Sequence, residues 1–173
     1  MDVKDTITRV KGLSIEDRNA LVEIISTQLE RDMGDDVAAS KQQWRMTAAK
    51  TQIKLTDLNS DGVPEIVAQA VGEDAGCSPT GNCPIWVFIK TDPGYRVLLR
   101  ADSIQTFTIQ PTKTNGFRDL VLAMHGSAFD QGLYLYEYSN GKYRNTACYN
   151  ASWRRRVGDE YQDLKRPDIT PCD

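Results

Sequence analysis

The chain has 173 residues, of which 40% are hydrophobic and 26% charged, with a formal net charge of -3. That is the make-up of an ordinary folded domain with a core of its own, and the mild charge excludes a partner held by bulk electrostatics, such as nucleic acid or an anionic membrane surface. No run of 18 apolar residues is present, which excludes a helical membrane span of the usual kind.

The opening "MDVKDTITRV" lacks the basic start and apolar stretch of a secretion signal, so the chain reads as cytosolic or as already trimmed of a leader. The first periodic segment is "LSIEDRNALVEIISTQLERDMGDD". Ser14 with an acid three residues on is a capping-box-like start, and Ile15, Leu21, Val22, Ile25 and Leu29 recur at helical spacing before Gly34. The spacing predicts an amphipathic helix over about residues 14–33, packed on a sheet.

After a polar link through "AASKQQ" the period changes. "PEIVAQA", "PIWVFIK", "YRVLLRA", "IQTFTIQ", "FRDLVLAM", "GLYLYEY" and "KYRNTACY" are short and rich in β-branched and aromatic residues. "TDPGY", "KTNGF" and "YSNGKY" separate them, and Asn-Gly between such segments is a strong hairpin signal. The expected fold is α+β: a single domain over residues 1–173, with the N-terminal helix packed on an antiparallel meander of about seven strands. The helical segment spans about 14–33, the β region about 44–149, and a disulfide-tied tail 150–173.

Within "GLYLYEYS", Leu133 and Leu135 alternate with Tyr134, Tyr136 and Tyr138, giving one aliphatic and one aromatic face. The tyrosine row is either a surface for a protein partner or part of the core. Of the four cysteines, Cys77 and Cys83 bracket "CSPTGNC", while Cys148 lies in a strand-like segment and Cys172 is next to last. An even count with this placement favours two disulfides over free thiols; four cysteines allow three connectivities, of which Cys77 with Cys83 and Cys148 with Cys172 is the expected one, and the setting is then periplasmic or secreted with the leader gone. A single distant histidine fits a zinc site poorly.

"DLNSDGVPE" carries the sharpest chemistry. Asp57, Asn59, Asp61 and Glu65 alternate around Gly62, and with the carbonyl of Val63 they match the oxygen spacing of a loop that wraps calcium. The position of the bidentate glutamate of an EF-hand is taken by Ala68, and a strand-like segment follows instead of a helix. The same residues also compose a plain Asx-rich turn without an ion.

Asp57-x-Asn59-x-Asp61-Gly62-x-x-Glu65 leading into "IVAQA" resembles the calcium loop of FG-GAP or VCBS-type repeats, and "GLYLYEYSNGKYRNTACY" is similar to hairpins that end secreted bacterial proteins of that kind. The resemblance implies an extracytoplasmic β fold, calcium held for structure, and roles in adhesion or protein contact. One such loop with about seven strands does not build a ring of four-stranded blades, so a closed propeller is not expected.

The lone histidine sits in "LAMHGSAFDQG", where His125, Ser127 and Asp119 or Asp130 supply the residue types of a hydrolytic triad, without a Gly-x-Ser-x-Gly elbow. "WRRR", Trp153 to Arg156, reads as a solvated face with internal ion pairs. The expected function is an extracytoplasmic, calcium-stabilised binding module of inhibitor or immunity type that acts on a protein partner without catalysis. The alternative is a small secreted or periplasmic hydrolase centred on His125.

Overall fold

A computed structural model describes residues 5–34 and 39–172. It contains ten strands and two helices in the order β1 (Asp5–Thr6), α1 (Ile15–Met33), α2 (Lys41–Ala49), β2 (Gln52–Thr56), β3 (Glu65–Gln69), β4 (Cys83–Lys90), β5 (Tyr95–Ile104), β6 (Thr106–Thr114), β7 (Phe117–His125), β8 (Asp130–Ser139), β9 (Lys142–Val157) and β10 (Glu160–Pro171). The fold class is α+β, with two five-stranded antiparallel meanders, β1-β2-β3-β4-β5 and β10-β9-β8-β7-β6. The chain separates into two compact units: one takes the chain up to Pro79 with Cys83–Ser103, the other takes Thr80–Asn82 and the chain from Ile104 on.

All seven expected strand segments are strands. Three more escaped the sequence reading. β1 is two residues long, β2 is a half-buried "QIKLT", and the tail expected over 150–173 holds the end of β9, which runs on to Val157, and the twelve-residue β10. The expected β region also begins too early, because residues 44–49 belong to α2.

In the first unit, α1 starts at Ser14, whose hydroxyl accepts the Asp17 N–H at 3.0 Å. Leu21, Ile25 and Leu29 are buried at helical spacing, each contributing roughly 1.5–3 kcal/mol of burial. Ile15 is 70% exposed and lies outside the buried stripe. The stripe joins one core with Trp44 and Ala48 of α2 and with Ile53, Ile66, Ala68, Trp86 and Phe88 of the sheet. The register pairs Ile53 with Ala68, Ala68 with Trp86 and Ile66 with Phe88, so these side chains share a face. Val67, Ile85 and Val87, which point the other way, are equally buried. That is why β3 and β4 read as continuous apolar runs instead of alternating ones.

At its start α1 is fastened to the sheet by polar contacts as well. The Asp17 carboxylate meets Lys90 Nζ at 3.0 Å and accepts a hydrogen bond from Tyr95. Burial and the Asp17 charge together push the Tyr95 phenol above its ordinary range.

α2 sits where the sequence suggested a polar link. Ser40 and Gln43 form a reciprocal capping box: the Gln43 N–H donates to Ser40 Oγ at 3.3 Å and the Ser40 N–H to Gln43 Oε1 at 2.6 Å. Trp44, Thr47 and Ala48 then form its buried face.

The second unit is built from hairpins. Asn115 and Gly116, and again Asn140 and Gly141, all have positive φ, as a type I′ turn requires, so both Asn-Gly signals are tight hairpin turns. β9 pairs with β8 only up to Ser152, and beyond it the strand continues as a two-stranded arm with β10. β10 is an outer strand of its sheet, with a register shift between Asp163 and Asp168 and prolines at 167 and 171.

Candidate functional site

The acidic loop connects β2 to β3, and its geometry follows from short-range hydrogen bonding. Asp57 accepts the Ser60 N–H at 2.6 Å and the Gly62 N–H at 3.0 Å, Asn59 Oδ1 accepts the Asp61 N–H at 2.9 Å, and Asp61 Oδ1 accepts the Val63 N–H at 2.7 Å. Asn59 Nδ2 donates to the second oxygen of Asp61 at 2.7 Å. Ser60 and Gly62 both have positive φ, so the chain coils tightly, and open space surrounds the missing Cβ of Gly62. The glycine therefore serves backbone conformation and relieves no crowding.

Glu65 closes the loop at the first position of β3 and is 1% exposed, its Oε2 accepting the Leu58 N–H at 2.7 Å. Burial raises its carboxyl above the ordinary range, the Leu58 N–H opposes the rise, and the charges of Asp61 and Asp57 add to it. Asp57 behaves oppositely. Desolvation acts against ionisation, but the N–H groups of Gly62, Ser60, Asp61 and Asn59 together hold the carboxyl below its ordinary range.

A buried glutamate thus ionises reluctantly beside two acidic neighbours, and that is the donor chemistry a hard cation relieves. All the donors are oxygen, and the set fits calcium in kind. Among the described residues, no group of three or more His, Cys, Asp or Glu side chains is gathered in metal-binding geometry; both Asp57 oxygens and one of Asp61 accept from backbone amides, and the other Asp61 oxygen accepts from the Asn59 side chain.

The four cysteines form two disulfides, Cys77–Cys83 and Cys148–Cys172. The second lies between neighbouring strands, where the Cys172 N–H donates to the Cys148 carbonyl at 3.0 Å and fastens the end of β10 to β9. No described helix is long and apolar enough to cross a membrane.

His125 ends β7. Its peptide is gripped by one side chain, because Asn82 Oδ1 accepts the His125 N–H at 2.8 Å and Asn82 Nδ2 donates to the His125 carbonyl at 2.8 Å. The turn that follows is held by Ser127, whose Oγ donates to Asp130 Oδ2 at 2.6 Å and accepts the Phe129 N–H at 3.1 Å. Hydrogen bonds from Ser127 and Ser152, with the charge of Arg154, keep Asp130 below the ordinary carboxylate range. The serine proton is therefore directed at the Asp130 carboxylate, an arrangement that stabilises the turn. Asp119 is buried in β7 and joins none of these bonds.

His125, Ser127, Phe129, Asp130, Gln131 and Trp153 line an open cleft of about 290 Å³. Behind it, Arg154 lays its guanidinium over the Phe129 ring, 3.4 Å from the centroid, and meets Asp163 at 2.9 Å. Arg155 binds Asp168 through two nitrogens at 2.9 Å, and Arg156 faces Asp159 at 3.5 Å. Each arginine of "WRRR" thus has an acidic partner on the arm.

Tyr134, Tyr136 and Tyr138 are all half-buried. Tyr136 pairs with Leu120 and Tyr134 with Leu122, both fully buried, so the tyrosine row shares the face of those leucines. Tyr138 stacks on Phe117 with centroids 4.0 Å apart and meets Tyr143 edge-on.

Asn82 and Gln131 were not singled out from the sequence, and Trp153 was read only as the start of a solvated basic run. Neither Asn82 nor Gln131 stands in a motif that could have marked it. No known protein family, characterised protein or solved structure matches the chain.

Proposed function

We propose that the protein is an extracytoplasmic binding module without catalysis of its own, its acidic loop stabilised by calcium. The hydrogen bonding of Ser127 carries the reading. The hydroxyl beside the lone histidine is spent on Asp130, so the cleft presents groups that hold a ligand and no nucleophile–base pair that turns one over.

Two disulfides support the extracytoplasmic setting, since such bonds persist in oxidising compartments. The resemblance of the loop to FG-GAP or VCBS-type calcium loops supports the metal. Asp57, Asn59, Asp61, Glu65 and the Val63 carbonyl would hold the ion, which supplies the positive charge that the buried glutamate and its acidic neighbours call for. Contact with a protein partner falls to the loops and to the half-exposed parts of Tyr134, Tyr136 and Tyr138, since tyrosine buries area while its hydroxyl stays hydrogen-bonded.

Serine- and cysteine-directed activity probes test the non-catalytic half. No labelling is expected, and a label on Ser127 that disappears in His125→Ala overturns the reading in favour of a hydrolase.

A further inference from the structure

The cleft beside His125 has a division of labour that hydrogen bonding within the turn does not account for. Its lining combines two aromatic side chains, Phe129 and Trp153, with the polar groups of Asp130, Gln131 and His125. Among the described residues, the His125 imidazole and the Trp153 indole N–H make no hydrogen bond to protein, although the backbones of both are fixed, His125 by Asn82 and Trp153 through the Phe129 carbonyl at 2.7 Å. Gln131 reaches only Gln105, at 3.5 Å, which leaves its amide largely unspent.

Fixed backbones with unspent ring nitrogens, an unspent amide and a carboxylate in one lining with aromatic side chains describe a recognition site. The volume of about 290 Å³ is at the small end for ligand pockets and fits a single ring. Arg154 decides the charge of the ligand. Its guanidinium already covers the Phe129 face and helps hold Asp130 ionised, so the carboxylate has a cation nearby and calls for a neutral hydrogen-bond donor.

We propose that this cleft binds a neutral saccharide, one sugar ring lying against Trp153 with its hydroxyls bonded to Asp130, Gln131 and His125. A pyranose has the matching form, an apolar face of C–H groups edged by hydroxyls that both donate and accept. The proposal rests on the binding-module reading and names a ligand class for it.

Trp44 and Trp86 are 3% and 0% exposed, whereas Trp153 is half-buried, so iodide quenching of tryptophan emission in the full chain reports on Trp153. A panel of neutral gluco-, manno-, galacto- and N-acetylglucosamine oligosaccharides is titrated against this signal. The expected result is saturable protection by at least one of them, weakened about tenfold or more in Asp130→Asn and in Gln131→Ala, with melting of Gln131→Ala unchanged. No protection by any member overturns the ligand class, as does undiminished protection in both variants. Protection by lysine amide or guanidinium, in place of sugars, overturns it in favour of a cationic ligand. Chromatography of the protecting sugar separates this proposal from the one it rests on: a bound but cleaved sugar keeps the ligand class and ends the non-catalytic reading, while failure of all sugars leaves capture of a protein partner to be judged on its own.

Discussion

The side chain of Asn82 brackets the peptide of His125, accepting its N–H and donating to its carbonyl, each at 2.8 Å. An amide is the one side chain that offers an acceptor and a donor side by side, so it stands in for a neighbouring strand at the end of β7. Asn82 is 6% exposed, and its loss leaves two backbone groups short of partners. Asn82→Ala is expected to cost about 2–3 kcal/mol in urea unfolding. Asn82→Asp, which keeps the acceptor and loses the donor, is expected to cost nearly as much, because a carboxylate then faces the His125 carbonyl. A cost under a few tenths of a kcal/mol in both would show that the bracket contributes nothing.

Calcium in excess is expected to raise the melting temperature relative to EDTA. A ligand that binds only the native state at about a hundred times its Kd adds about 2.7 kcal/mol. The difference should vanish in Asp61→Ala, and equal melting of the wild type in both buffers ends the calcium proposal.

Acid stability has a local source in Asp17. Burial opposes its ionisation, but Lys90, Tyr95 and the Ser14 hydroxyl outweigh this and bring the carboxyl below its ordinary value of 3.8. A depressed folded-state pKa means stability that is present above the unfolded value and lost as pH falls through the folded one. Melting followed from neutral pH down past 3.8 should therefore show a loss that Asp17→Asn flattens, with the variant already weaker at neutral pH. An identical acid limb in wild type and variant contradicts the assignment.

The two disulfides are expected to differ in value. On the chain-entropy view, the bond closing a separation of 24 residues is worth about 3.5 kcal/mol and the one closing 6 about 2.4. Paired serine replacements, Cys148/Cys172 against Cys77/Cys83, compared by urea unfolding, check the order. A larger loss from the short loop would mean that it holds native geometry in ways chain entropy does not capture.

The tyrosines of β8 divide by their neighbours. Tyr138→Ser removes the stack on Phe117 and is expected to cost about 2–3 kcal/mol, below the 3–5 typical of a fully buried aromatic ring. Tyr134→Ser and Tyr136→Ser are expected to abolish partner capture at a smaller cost in melting. Collapse of the fold in those two variants would assign them to the core alone.

Much of the β architecture was legible because its signals are local. Asn115-Gly116 and Asn140-Gly141 announce turns that only positive φ can make, and seven apolar or aromatic segments lie between such breaks. β10 was not legible: "EYQDLKRPDITP" is polar and proline-bearing, and it is a strand because β9 offers a ladder and Cys148 holds its far end. α2 was legible in principle, since Ser40 and Gln43 are spaced as a capping box, but the polar residues around them masked the short buried face of Trp44, Thr47 and Ala48. The acidic loop could be read as a motif because its ligands are adjacent in sequence. The His125 cleft could not, because Asn82 and Trp153 reach it from 43 residues before and 28 after, and no spacing rule links such positions.

The outer position of β10 bears on how copies of this chain behave when concentrated. A strand with one side open invites an identical strand to dock along it, and growth of that kind leads to fibres. Here Pro167 and Pro171 have no N–H to offer, Lys165 and Arg166 place like charges where two such strands would meet, and the shift between Asp163 and Asp168 breaks the even spacing that a visiting ladder needs. This border of the sheet is therefore uninviting to its own kind, and growth strand upon strand along β10 is disfavoured.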